Sequence, residues 1–255
     1  MYVRTLLAAW TLAGCLMAAD AAADAAPDYA REQRWAAEIE PAIVVGDPVW
    51  LSTGERNRVL AIITRPVGTP QGGIVLVHGV GVHPDFGVIG ALRTALAERG
   101  FVTLSVQMPV LAAGATRDDY RSLVPLAGDR IDAAVVWLRG ERLTRIGVVA
   151  HSMGALMANA WLARPSHAAV DAFVALGMFG DLAPRLPPTL DIVAERDFPD
   201  VLAHYAARSA QRGHDRCSSG AIMADTDHYL GGTTADLAGR IASFLTRSFS
   251  GGCTT

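Results

Sequence analysis

Ser152, Asp197 and His228 are three residue types that can pass a proton along a line, and they stand far apart in the chain. A serine hydroxyl attacks a carbonyl only when a base accepts its proton, and an imidazole serves best when an acid fixes its tautomer and steadies its charged form. Ser152 lies in "VVAHSMGALMAN", residues 148–159, which begins as a β-branched run and ends as an apolar helical stripe. Ala150 and Gly154 flank it at two residues on either side, where a sharp strand-to-helix turn brings the backbone together and bulk would clash. This is the nucleophile-elbow pattern, with alanine in its first glycine position. Such a turn lifts the hydroxyl above the sheet edge, and the N-terminus of the following helix offers N–H groups and positive potential to a developing oxyanion. Serine is also a favoured helix N-cap; the strand directly before it is what favours the nucleophile reading.

His228 stands in "ADTDHYLGG", directly after the apolar run "GAIMA" and before the last helical stripe. Asp197, in "LDIVAERDFPD", follows the preceding apolar run by a short turn, although Pro199 also makes it a helix-start residue. Asp181, Asp200 and Glu195 are alternatives for the acid, and Asp191, inside its strand, is less suited. The order serine, acid, histidine is the one that accompanies an elbow. A glycine-rich turn, "LVHGVGVHPDF", ends the first strong strand, so the backbone N–H groups of Val80 and Met153 are the candidate oxyanion donors. His78 reads as a hydrogen-bonded structural residue of that turn, and His83 and Asp85 as residues of the site's mouth.

Residues so scattered need a scaffold that gathers them. Short continuous apolar runs at 61–64, 73–78, 101–106, 146–151, 172–178, 189–194 and 220–224 read as strands buried on both faces. Between them lie helical stripes, such as Ile89, Leu92 and Leu96, then Ile131, Ala134, Val135 and Leu138, then a helix near 200–212, and last Leu237, Ile241, Phe244 and Leu245. Alternation of this kind predicts an α/β domain over 27–255 with a mostly parallel central sheet flanked by helices. The loops that leave the C-terminal strand ends then share one edge, where distant residues converge.

With these motifs in order, residues 58–249 resemble the α/β-hydrolase superfamily. More narrowly, "VHGVGVHPDFGVIGALRTALAERGFVTLSVQMP" looks like the exported bacterial α/β-hydrolase-like proteins of unknown function called the DUF3530 group. The resemblance implies an α/β-hydrolase fold. Many of its members carry a helical lid between the strands that here end near 178 and begin near 189, and about ten residues leave no room for one, so an open site is expected. The resemblance leaves the substrate open; the ordered residues Ser152, Asp197 and His228 themselves point to hydrolysis of a carboxylic ester, less readily a thioester or amide, with no metal or organic cofactor required. The other function class is a non-catalytic exported protein that uses the same fold to bind an envelope component.

Composition narrows the partners. Hydrophobic residues make up 51% of the 255 and the net charge is −3, with no basic patch of the kind nucleic acid requires. Residues 1–26 read as a secretory signal peptide: Arg4, an apolar stretch over 5–17, then "AADAAADAAP". That stretch is shorter than the roughly 20 residues a bilayer span takes. Leu12-Ala13-Gly14-Cys15 also resembles a lipobox, so the protein is expected to be exported, either periplasmic or lipid-anchored through Cys15. Cys217 and Cys253 remain as two thiols in an oxidising compartment. Cys217 precedes the last strand and Cys253 follows the last helix, which runs back antiparallel to it. Rises of about 3.3 Å per strand residue and 1.5 Å per helix residue bring the two to the same level, so a disulfide is expected.

Overall fold

The runs "GGIVLV", "FVTLSV" and "IGVVAH" are buried along their whole length and form the middle of the sheet as β3 (Gly72–Val77), β4 (Phe101–Val106) and β5 (Ile146–His151). The computed structural model describes residues 26–211 and 217–253. The expected leader and Cys15 therefore lie outside the described residues, save for residue 26. Around the central strands stand β1 (Asp47–Leu51), β2 (Val59–Thr64), β6 (Ala172–Leu176), β7 (Thr189–Arg196) and β8 (Ser219–Asp227). Among the described residues they make one eight-stranded sheet in the order β1-β2-β4-β3-β5-β6-β7-β8. From β4 to β8 every pairing is parallel, while β1 and β2 join antiparallel at one edge.

Alternation along each strand feeds two cores. Ile74 and Leu76 point into the layer of α2 (Gly87–Ala97) and α6 (Thr234–Phe249), whereas Val75 and Val77 point toward α3 (Val124–Gly140) and α4 (Met153–Leu162). α5 (Pro199–Gln211) joins the second layer through Val201. Between β6 and β7 the chain forms a short irregular connection with no helix, so nothing there covers the sheet edge.

Two elements carry weak sequence signals. β1 opens with Asp47-Pro48, and a proline fits a strand only at an edge, which is where β1 lies. α1 (Tyr29–Ile39) buries a charge instead of a full apolar stripe: Glu32, Ala36 and Ile39 face inward. Arg130, wholly buried, donates to Glu32 and to Glu55, and Arg56 adds a second cation to Glu32. Asp191 has a similar structural use, accepting two hydrogen bonds at 3.0 Å from the buried Arg208.

Cys217 and Cys253 are bonded, with Cα atoms 5.2 Å apart across 36 residues of sequence. The bridge ties the entry of β8 to the exit of α6. On the chain-entropy account it stabilises the fold by about 3 to 4 kcal/mol. Cys253→Ser is expected to lower the unfolding free energy by that amount in a denaturant titration. Intact-mass analysis of the unreduced protein should find no alkylatable thiol at either position; free thiols there would contradict the bridge.

Candidate active site

Ser152 joins β5 to α4 with φ 56° and ψ −124°, a left-handed conformation that costs a non-glycine residue about 1 to 3 kcal/mol. Its N–H donates to Leu176 O on β6 at 2.8 Å, which pins the turn from the neighbouring strand. Gly154 has to be glycine: a Cβ there would sit 2.3 Å from His78 O. Ala150, by contrast, is buried in register between Val77 and Ala175, where a methyl fits the sheet, so alanine serves in place of glycine.

The histidine and the acid arrive by a sheet irregularity. Ala194 pairs with Met223 but Arg196 pairs with Asp227, so β8 carries two extra residues in this interval, among them Asp225 at φ 55°. The strand thus runs three residues past the expected "GAIMA" and ends beside the end of β7. His228 and Asp197, the next residue of each strand, meet there. His228 Nε2 lies 2.9 Å from Ser152 Oγ, and His228 Nδ1 lies 2.6 Å from Asp197 Oδ1. Asp197 also accepts from the N–H groups of Phe198 and Ala194, at 2.9 and 3.2 Å. Burial alone would raise its carboxyl, but the hydrogen bond and charge of His228 and those two N–H groups outweigh it, and the group is held below the usual carboxylate range.

The other acids are engaged elsewhere. Asp200 pairs with Arg117 at 2.7 Å, Glu195 accepts from the Asp225 N–H, and Asp191 is taken by Arg208. Asp181 meets the site's surroundings through its carbonyl, which accepts from Asn159.

The β3–α2 turn covers the other side of Ser152. Met153 is the first residue of α4, so its N–H has no acceptor inside the helix. Val80 lines the same cleft as Ser152. His78 is buried; its Nδ1–H donates to Gly79 O at 2.9 Å and its Nε2 accepts from Met108 N–H at 2.8 Å. Burial pushes its pKa down to about 3, so it stays neutral as a brace between β3 and the end of β4. His83 and Asp85 do not line the cleft, contrary to expectation. The His83 ring packs between Trp35 and Phe86, and Asp85 is held by Arg93.

Several residues of the site have no clear sequence signal. His151, the elbow residue before Ser152, is buried and donates from Nε2 to the backbone carbonyl of His228 at 2.8 Å, with its pKa lowered to about 4 by burial. One elbow residue therefore ties the loop of His228 to the turn of Ser152. Gly177, at φ 57°, lets the His228 ring approach so closely that a Cβ would touch it at 3.0 Å. The Phe198 ring lies over His228 with centroids 4.5 Å apart. Only the adjacency of His151 to Ser152 and of Phe198 to Asp197 hinted at these roles.

Solved structures share this architecture. An esterase domain from Rhodothermus marinus superposes with a TM-score of 0.60 at 15% identity, covering 79% of this chain and 98% of its own. A serine hydrolase without a lid from Xanthomonas campestris gives 0.61 at 16% identity, covering 80% and 95%. The fold is that of the α/β hydrolases. A dienelactone hydrolase from Anabaena variabilis gives 0.59 at 22% identity over 81% of this chain and 97% of its own. No family model and no curated protein sequence matches the chain.

Proposed function

We propose that this α/β-hydrolase-fold chain is a serine hydrolase of carboxylic esters, with thioesters and amides as poorer substrates. One observation carries the reading: the unbroken line Ser152 Oγ, His228 imidazole, Asp197 carboxylate, with contacts of 2.9 and 2.6 Å. His228 Nε2 takes the hydroxyl proton as Ser152 Oγ bonds to the ester carbon. Asp197 holds Nδ1–H and steadies the imidazolium. The oxyanion accepts from the Val80 and Met153 N–H groups at the positive end of α4. His228 then protonates the departing alcohol, and a water activated in the same way releases the acid.

The reading includes export, to the periplasm or to a lipid anchor through Cys15. The Cys217–Cys253 bridge supports an oxidising compartment. Among the described residues no helix is long and apolar enough to cross a membrane. The narrower kinship with the exported DUF3530 group rests on residues 77–109 alone. Hydrolysis of p-nitrophenyl esters from acetate to decanoate by the purified chain tests the activity. Turnover that disappears in Ser152→Ala supports the hydrolase; a folded, inactive wild-type chain favours the non-catalytic binding protein.

A further inference from the structure

The cleft over Ser152 holds about 700 Å³, well inside the range of roughly 300 to 1,000 Å³ for ligand pockets and far more than an acetyl group fills. Two segments supply most of its apolar lining: the start of α2 and the residues before it, with Val82, Phe86 and Ile89, and the β8–α6 loop, with Tyr229 and Leu230. Ser152 and His228 line the same space, so the apolar walls are continuous with the reacting atoms. Phe86 is 50% exposed and Tyr229 64%, which leaves large apolar side chains in water at the cleft's edges. Clustered exposure of that sort marks a surface that a ligand covers.

Charge separates the candidate ligands. Arg117 is the one arginine of this lining, which among the described residues holds no lysine and no carboxylate, and it is already paired. Its guanidinium pairs with Asp200 at 2.7 Å and lies 4.5 Å from the centre of the Phe179 ring. The cleft therefore offers apolar area and no uncompensated cation, and it selects for bulk without charge.

We propose that the substrates are esters of acids with an extended, uncharged apolar chain, and that this chain lies between the start of α2 and the β8–α6 loop. The inference rests on the serine-hydrolase reading. The acyl group takes the cleft because it stays bonded to Ser152 Oγ through both steps, whereas the alcohol departs after the first. In the first step the Ser152 Oγ–carbon bond forms, the ester carbon–oxygen bond breaks, and the serine proton passes through His228 to the alcohol. In the second, water oxygen bonds to the same carbon, the bond to Oγ breaks, and a proton returns through His228 to Ser152. Acid and alcohol are the products.

A fully buried methylene is worth about 0.8 kcal/mol, or roughly fourfold in kcat/KM, and an open trough that leaves one side wet returns about twofold. The test is kcat/KM for p-nitrophenyl esters from acetate to decanoate, with the mono-p-nitrophenyl ester of succinic acid as the charged comparison, on the disulfide-intact chain. Octanoate should exceed butyrate by at least about tenfold, and the succinate ester should fall below butyrate. Ala91→Glu, which puts a carboxylate on the exposed part of α2 that borders the cleft, should lower the octanoate-to-acetate ratio at least about fivefold. Ser152-dependent turnover of acetate with no rise along the acyl series overturns the inference and leaves the hydrolase reading standing. In a companion series of acetate esters from ethyl to octyl alcohol, a rise with the length of the alcohol instead of the acid also overturns it. No turnover of any ester removes the hydrolase reading and the inference together.

Discussion

Asp197→Asn is expected to reduce kcat for ester hydrolysis by about three to four orders of magnitude while the protein still folds. The carboxylate serves three donors at once: Oδ1 accepts from His228 Nδ1 and the Phe198 N–H, and Oδ2 from the Ala194 N–H. An amide has only one oxygen. If it faces His228 and Phe198, its NH₂ confronts the Ala194 N–H, donor against donor. If it faces Ala194, the NH₂ donates to His228 Nδ1, the ring proton moves to Nε2, and the nitrogen beside Ser152 Oγ can no longer accept the serine proton. Either arrangement also removes the negative charge that steadies the imidazolium. The thermal midpoint should fall by only the few degrees that one compromised buried hydrogen bond entails. Asp181→Asn is the control, since its link to the site's surroundings is a backbone carbonyl; a collapse of kcat in that variant instead would move the acid's role there.

Stability should fall steeply as pH drops below about 6.5. His78 and His151 are buried and neutral, with pKa lowered from 6.5 to about 3 and about 4 by loss of solvent. In the unfolded chain both take up protons near pH 6.5, while in the folded chain they do not. The unfolded state therefore binds more protons, and stability present above pH 6.5 is lost as pH falls toward the folded values. Each extra proton held by the unfolded state costs about 1.4 kcal/mol per pH unit at most, so the two together remove roughly 2 kcal/mol per unit between about pH 6 and 4. His83, also lowered by burial, acts in the same sense, and Glu32, raised by burial against the pull of Arg130, acts in the opposite one. Asp197 adds its loss only at still lower pH, because its folded pKa is depressed. Against a typical domain stability of about 5 to 15 kcal/mol, this decides whether the fold survives at pH 4. Guanidinium unfolding at pH 7, 6 and 5 measures the slope. His78→Gln, which keeps an acceptor for Met108 N–H, should reduce it by about one proton; a stability flat from pH 6.5 to 5 would contradict the account.

The sequence revealed the sheet's centre more readily than its edge. β3, β4 and β5 are buried on both faces, so their β-branched runs have no competing pattern. β1 and α1 escape the same reading because one is a short edge strand opening on Asp-Pro and the other spends its inward face on Glu32. Ser152 was legible because the turn demands small neighbours. The acid is harder: Asp181, Asp197 and Asp200 follow β6 or β7 closely in sequence, and Asp191 and Glu195 lie within β7. What separates them is partnership, with Arg117 on Asp200, Arg208 on Asp191 and the Asp225 N–H on Glu195, and pairing across 17 to 83 residues leaves no local trace. The two extra residues of β8 are equally hidden, since "DTD", residues 225–227, reads as a loop and is in fact the bulged end of a strand that brings His228 to Asp197. His151 has no sequence signal because its task, holding the His228 carbonyl, exists only once the two loops meet.

The central claim is that Ser152 is a nucleophile activated by His228. Labelling with a fluorophosphonate, followed by peptide mapping, tests it most directly, because the reagent bonds to an activated serine oxygen whatever the true substrate is. The predicted result is a single adduct on Ser152 that forms in the folded wild-type chain, is absent in Ser152→Ala, and forms far more slowly in His228→Gln. Folded wild-type protein that takes up no label, or labels equally fast without His228, would contradict it.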